Sequence, residues 1–218
     1  MRIRRRHWVF LIIAGTLLMV LAMLLDVAAF KLFVGSGFGS AEAIEATESK
    51  LEGRDWYRLA RVMGYLPTWL LAALVLGLAG AFRRFSRPLA AAMALVLAPI
   101  VAGGGAEVLK RIIARERPTA SGEYVHRAMF SGFSDSSNLG IPSSHVAVAF
   151  AAAAVIGMLY PKTRWVMLVL AGLCAMTRMA AGAHFLSDCV LGALLGMAAA
   201  MAVTPPPSGE RLSRLGTR

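Results

Sequence analysis

Pro142-Ser143-Ser144-His145 leads directly into Val146-Ala-Val-Ala-Phe-Ala-Ala-Ala-Ala-Val-Ile-Gly-Met-Leu-Tyr160, and Pro161-Lys162-Thr163-Arg164 closes the run. A polar tetrad carrying a histidine thus opens an apolar stretch that contains no charge, approaching the ~20 residues a helix needs to cross a hydrocarbon core. Five further runs of this kind are legible. The expected spans are residues 8–33, 66–82, 89–109, 145–160, 165–177 and 184–203. At 58% hydrophobic and 16% charged residues the chain is too apolar for an ordinary soluble domain, and its mean hydropathy is +0.65. The expected fold is therefore all-α: a six-helix transmembrane bundle forming a single domain over residues 1–203, followed by a disordered tail over 204–218.

The polar segments punctuate this bundle. Residues 1–6 are basic and precede an apolar run too long for a usual signal-peptide core, so a retained first helix is expected. Asp26 and Lys31, at the far end of that run, are expected near the interface. Residues 35–61 begin with glycines and continue with Glu42, Glu45, Glu48 and Glu52. Leu51, Trp56, Tyr57, Leu59, Val62 and Met63 then pattern as a short interfacial amphipathic helix in the first outer loop. Trp56, Tyr57 and Trp69 fit an aromatic belt. Pro99 and Gly103-Gly104-Gly105 lie inside the third run, where they allow close packing or a kink. Gly192 and Gly196 carry GxxxG spacing, while Cys174 and Cys189, inside apolar runs, are read as packing residues.

The net charge of +11 could indicate nucleic acid. Instead the basic residues form short clusters between apolar runs, at Arg2–Arg6, Arg83–Arg87, Lys162–Arg164 and Arg211–Arg218, so no nucleic-acid partner is expected. Six spans place all four clusters on one side, which the positive-inside rule makes cytoplasmic. Both termini then face the cytoplasm. The glutamate-bearing segment, residues 110–144 and the turn between Arg178 and His184 share the outer face.

That face gathers the residue types phosphoryl chemistry needs. Lys110 and Arg117 are seven apart, about two helical turns, which would let both project from one helix face before Pro118 ends it. His184 and Asp188 are four apart, an i,i+4 pair at the start of the sixth span in which the carboxylate fixes the imidazole tautomer. His145 follows Ser143 and Ser144 where helix N-terminal amides favour an anion. Lys110, Arg117 and Arg178 supply cations for the equatorial oxygens of a phosphoryl group in transfer. No ligand set for a metal is evident: Asp135 is the only acid near, and no cofactor is expected.

Lys-x6-Arg-Pro at Lys110, Pro-Ser-x-His at Pro142 and Arg-x5-His-x3-Asp at Arg178, in that order, resemble the three signatures of the type-2 phosphatidic acid phosphatase family, which shares its site with vanadium haloperoxidases. The resemblance covers residues 110–188. It implies that His184 is the nucleophile forming a phosphohistidine, Asp188 its orienting partner and His145 the acid for the leaving oxygen. Lys110, Arg117, Ser143 and Arg178 would hold the phosphate, with Ser144 beside them. Ser144 stands where the family usually has Gly, and Thr177 where it usually has Ser. His126, Arg111 and Arg115 fit headgroup contacts or solvation at least as well as catalysis.

The expected activity is metal-independent hydrolysis of a lipid phosphomonoester or diphosphate at the outer face of a bacterial inner membrane. The compact layout leans toward undecaprenyl diphosphate or the phosphates of lipid A, with phosphatidylglycerol phosphate and phosphatidic acid as alternatives. No obligate protein partner is evident. Six spans argue against a soluble haloperoxidase, and a phosphate-binding transporter or scaffold would not need the His184–Asp188 pair.

Overall fold

The computed structural model describes residues 5–35, 40–82 and 86–204. Among them eight α-helices run in the order α1 (Arg5–Val34), α2 (Ala41–Glu52), α3 (Asp55–Val62), α4 (Leu66–Phe82), α5 (Ser86–Ile113), α6 (Ser144–Leu159), α7 (Arg164–Ala180) and α8 (Leu186–Val203). No strand occurs among the described residues, only two isolated bridges in the segment between α5 and α6. The tail beyond Thr204, the arginines at positions 2, 4, 83 and 84 and the 211–218 cluster lie outside the described residues.

The helices form where the apolar runs do, with informative differences at their ends. α4 occupies the expected 66–82, whereas α5 continues past 109 to Ile113, so Lys110 belongs to its last turn rather than to a loop. Ala114 then takes a left-handed backbone (φ 53°), which ends the helix three residues before Arg117. The expectation that Lys110 and Arg117 share one helix face is therefore corrected, and Pro118 is not the terminator. α8 begins at Leu186, leaving His184 in the preceding turn.

Among the described residues four helices are long and apolar enough to cross a membrane: Ile12–Val34, Leu89–Ile113, Pro161–Ala180 and Leu186–Val203. A fifth candidate is the pair Asp55–Val62 and Leu66–Gly80, bent by 63°, while α6 is shorter. Large apolar side chains project outward from α1, including Ile12, Leu17, Leu24 and Leu32, as a membrane protein requires and a soluble one avoids.

α6 is the hub, packed against α5, α7 and α8. Its Ala-rich surface (Ala147, Ala149, Ala151, Ala152) is buried on all sides, letting backbones approach closely. The expected Gly192/Gly196 contact is the tightest part of this packing. A Cβ at Gly196 would lie 2.4 Å from the Ala147 carbonyl oxygen, and one at Gly192 would lie 2.6 Å from that of Ser143. The glycines thus seat the start of α8 directly on the start of α6. Of the 103–105 glycines only Gly103 is closely packed, against Val148.

Asp26 is fully buried among protein groups. Aromatic residues are placed differently from expectation. Tyr57 and Trp69 are core residues, the Trp69 indole N–H donating to the Met63 carbonyl at 2.8 Å, and only Trp56 is largely exposed. The 41–62 segment is two helices, not one. Cys174 and Cys189 are buried free thiols.

The α6–α8 seam has a direct test. Gly196→Ala must displace backbone and should cost about 1–3 kcal/mol, whereas Gly172→Ala, with open space around it, should be neutral. Thermal unfolding in detergent, followed by tryptophan fluorescence, measures both; equal stability of the two variants contradicts the seam.

Candidate active site

A pocket of ≈ 300 Å³ opens at the end of the bundle where α5 stops and α6 and α8 start. Lys110, Arg111 and Glu107 reach it from the last turns of α5, Ser144 and His145 from the first turn of α6, Arg178 from the end of α7, and His184 from the turn before α8. Arg117, Ser136, Asn138 and Leu139 line it from the intervening segment.

That segment is pinned rather than loose. The Glu116 amide donates to Val125, Arg117 to Asn138, Arg127 to Ala114 and Gly140 to Arg115, all at backbone distances of 2.8–3.0 Å. Arg127 bridges Glu116 (2.6 Å) and Asp135 (2.8 Å), and the Asn138 amide adds a bond to Glu116 at 3.1 Å. Asp135 is thereby occupied with loop architecture: the Ser137 hydroxyl and amide, and then Arg127, hold its carboxyl below the usual range. The extended pairing at residues 115–117 carries Arg117 to the pocket although it has left the helix of Lys110.

Within the pocket, cations face one another. Burial and the neighbouring Arg178 push the Arg117 guanidinium down. Among the described residues, Nε of Arg117 and Nε of Arg178 are buried without a hydrogen-bond partner. Lys110 Nζ donates to Glu107 (2.8 Å) and Ser144 Oγ (3.2 Å). Arg178 Nη1 lies 3.4 Å from the Glu48 carboxylate on α2, which also sits 3.8 Å from Arg61. The two partnerless guanidinium N–H groups are donors suited to an anion, and a phosphate is a ligand that guanidinium forks fit.

The histidines are held by different means. His145 packs edge-on to Tyr65 with 5.5 Å between centroids, and its Cβ would be only 2.9 Å from a Cβ added at Gly64. His184 Nδ1 lies 3.4 Å from Asp188 Oδ2, so the pair forms although only Asp188 is helical. Burial, with Arg178 and Arg117 nearby, pushes the His184 imidazole down to about 4 against the pull of Asp188. At neutral pH it is uncharged. With Nδ1 turned to the carboxylate, Nε2 is the nitrogen left to react.

Asp188 itself lies behind His184, fully buried, its Oδ2 also accepting the Phe185 amide at 2.9 Å. Ser143 is fully buried as the residue preceding α6 and does not line the pocket, whereas Ser144 does. Thr177 bonds back to the Cys174 carbonyl (2.6 Å), a helix-internal role. His126 is exposed and stacked on Tyr124, outside the pocket. Sequence reasoning passed over Glu107, whose signal was its i,i+3 spacing to Lys110, and Glu48. It also undervalued Arg111, which lines the pocket, and Arg115, which is 2% exposed and bonded to Asp188. No group of three or more metal-ligating side chains occurs among the described residues.

An apolar helical bundle with a cation-lined, two-histidine pocket at one end is the architecture of a phosphate-handling protein. Residues 89–207 match the PAP2 superfamily. The chain belongs to that superfamily, and membership supports phosphatase activity on phosphate esters. No curated protein and no solved structure matches it.

Glu48 competes with any anion for Arg178. In Glu48→Gln, inhibition by orthovanadate should tighten about two- to fivefold, as expected for losing a long, partly buried ion pair worth about 1 kcal/mol or less. An unchanged or weakened inhibition constant contradicts this placement of α2.

Proposed function

We propose that the protein is a membrane lipid phosphatase that works through a phosphohistidine at the outer face of the membrane. The observation that carries this reading is the convergence of Lys110, Arg117 and Arg178 with His145 and the Asp188-backed His184 on one pocket. His184 Nε2 attacks phosphorus as the bond to the lipid oxygen breaks, and His145 donates a proton to that oxygen. Water then attacks the phosphohistidine, returning a proton to His145 and releasing inorganic phosphate with His184 restored. The cations stabilise the equatorial oxygens throughout, so the cycle needs no metal. Ser144, bonded to Lys110, keeps the ammonium aimed inward. Ser143 serves through its backbone at the start of α6.

The lipid is recognised by its phosphate, while the apolar bundle meets its chains. The compact layout, with little soluble structure inserted between the described helices, leans toward undecaprenyl diphosphate or lipid A phosphates, with phosphatidylglycerol phosphate and phosphatidic acid as the alternatives. Six spans are proposed: α1, α4 with α3 as its bent outer extension, α5, α6, α7 and α8. α2, with the exposed Trp56 and Leu59 of α3, lies at the outer interface.

Purified His184→Ala should fold, bind vanadate weakly and release less than about 1% of wild-type phosphate from a detergent-dispersed panel of farnesyl diphosphate, phosphatidic acid and phosphatidylglycerol phosphate. Wild-type activity should persist in EDTA. Residual turnover of more than a few per cent in the variant removes His184 as nucleophile. Loss in EDTA with rescue by Mg²⁺ overturns the metal-free cycle.

Topology is tested with single cysteines in a background lacking Cys174 and Cys189. A membrane-impermeant maleimide should label Ser134→Cys in intact spheroplasts and Lys162→Cys only after lysis. The reverse pattern places the site in the cytosol and excludes outer-leaflet substrates.

A further inference from the structure

Behind the pocket, three elements meet in a buried polar cluster of which the reaction as described uses only Asp188. Asp26 of α1 and Ser187 and Asp188 of α8 are fully buried, and Arg115 of the intervening segment is 2% exposed. Arg115 binds Asp188 Oδ1 with Nη2 and donates from the same nitrogen to Ser187 Oγ at 2.7 Å. Ser187 in turn gives its backbone N–H (2.7 Å) and its hydroxyl to the two oxygens of Asp26. Tyr124 adds its phenol O–H to Asp26 Oδ2 at 2.7 Å, while the Arg115 guanidinium lies over the rings of Tyr124 and Phe185 at 5.3 and 5.4 Å.

Three physical points make this more than packing. First, Ser187 is the second residue of α8, so its amide is one of the donors a helix start leaves unpaired. A carboxylate from a different helix caps it, 161 residues away in sequence. Second, Asp188 needs an opposite charge wherever it is buried, and Arg115 supplies one on Oδ1 while Oδ2 remains for Phe185 N and His184. Third, the His184 turn leads directly into this first turn of α8, so the cap sets where the imidazole stands. Gly140 completes the fit: a Cβ there would come within 3.2 Å of Asp188 Oδ2.

We propose that Asp26 and Arg115 are positioning residues for the reaction, fixing the Asp188 carboxylate and through it His184, so that the first membrane helix is a working part of the active site. This rests on the assignment of His184 as nucleophile. It extends the site to α1, outside the 89–207 match to the superfamily.

The test uses the full-length protein in detergent with farnesyl diphosphate and dioctanoyl phosphatidic acid as probes, and vanadate binding to count folded sites. Per folded site, Asp26→Asn and Arg115→Lys should each lower kcat about 10- to 100-fold, the range for partners of functional side chains. KM and vanadate affinity should stay within about twofold. In an Asp188→Asn background the further loss from Asp26→Asn should shrink to below about threefold, because its route to His184 is already cut. A merely structural role instead lowers the folded fraction and leaves kcat per site intact, in either background. That outcome overturns the proposal, as does an undiminished loss without Asp188. Should Asp26→Asn fail to fold, Arg115→Lys and Tyr124→Phe carry the same comparison, the latter with a loss of a few fold. If His184→Ala retains turnover, the nucleophile assignment fails; if it is inactive while both positioning variants keep wild-type kcat per site, only this inference fails.

Discussion

A carboxylate in the first turn of an apolar helix is tolerated only when its surroundings supply charge and hydrogen bonds, and Asp188 is the place where this protein meets that demand. Its two oxygens face in different directions: one toward the Arg115 guanidinium, the other toward the Phe185 amide and His184. Arg115 can stand there only because Ala114 breaks α5 and the chain then pairs with the stretches around His126 and Leu139. The route of the long polar segment, the end of α5 and the start of α8 are thus settled together around one ionised group.

Small residues do the complementary work. Hydrophobic burial cannot drive helices together within lipid, so contact depends on how closely backbones approach. Gly192 and Gly196 let α8 rest on the α6 backbone, and the alanines of α6 do the same toward its other neighbours. The same seam brings the His145 turn beside the His184 turn, with Ser143 donating its amide to the Asp188 carbonyl at 3.0 Å. Packing and site geometry are therefore not separable at this end of the bundle.

Much of this is readable from sequence because apolar runs and the three spaced motifs are local signals. The limits of α4 follow from charged and turn residues at its ends, and the Gly192/Gly196 contact follows from spacing. What escaped is non-local. Helical periodicity placed Lys110 and Arg117 on one face, but the left-handed Ala114 carries no residue signature, since alanine ordinarily continues a helix. The buried partners of Asp26 escaped because Tyr124, Ser187 and Arg115 are roughly 90 to 160 residues away. Arg115 sat among other basic residues, where solvation explained it equally well. A buried acid in an apolar run does demand a counter-charge, and that demand was the one available clue.

The link between α1 and α8 also bears on how the protein is made. Asp26 leaves the ribosome before Arg115, and Ser187 with Asp188 after both. Until α8 arrives, a growing chain holds an acid and a guanidinium in or beside apolar helices without the amide, hydroxyl and carboxylate that satisfy them. Water must follow those groups into the bilayer, or the helices must stay apart. A chain interrupted before α8 therefore presents a conspicuous polar defect in the membrane, and completion of α8 is what conceals it.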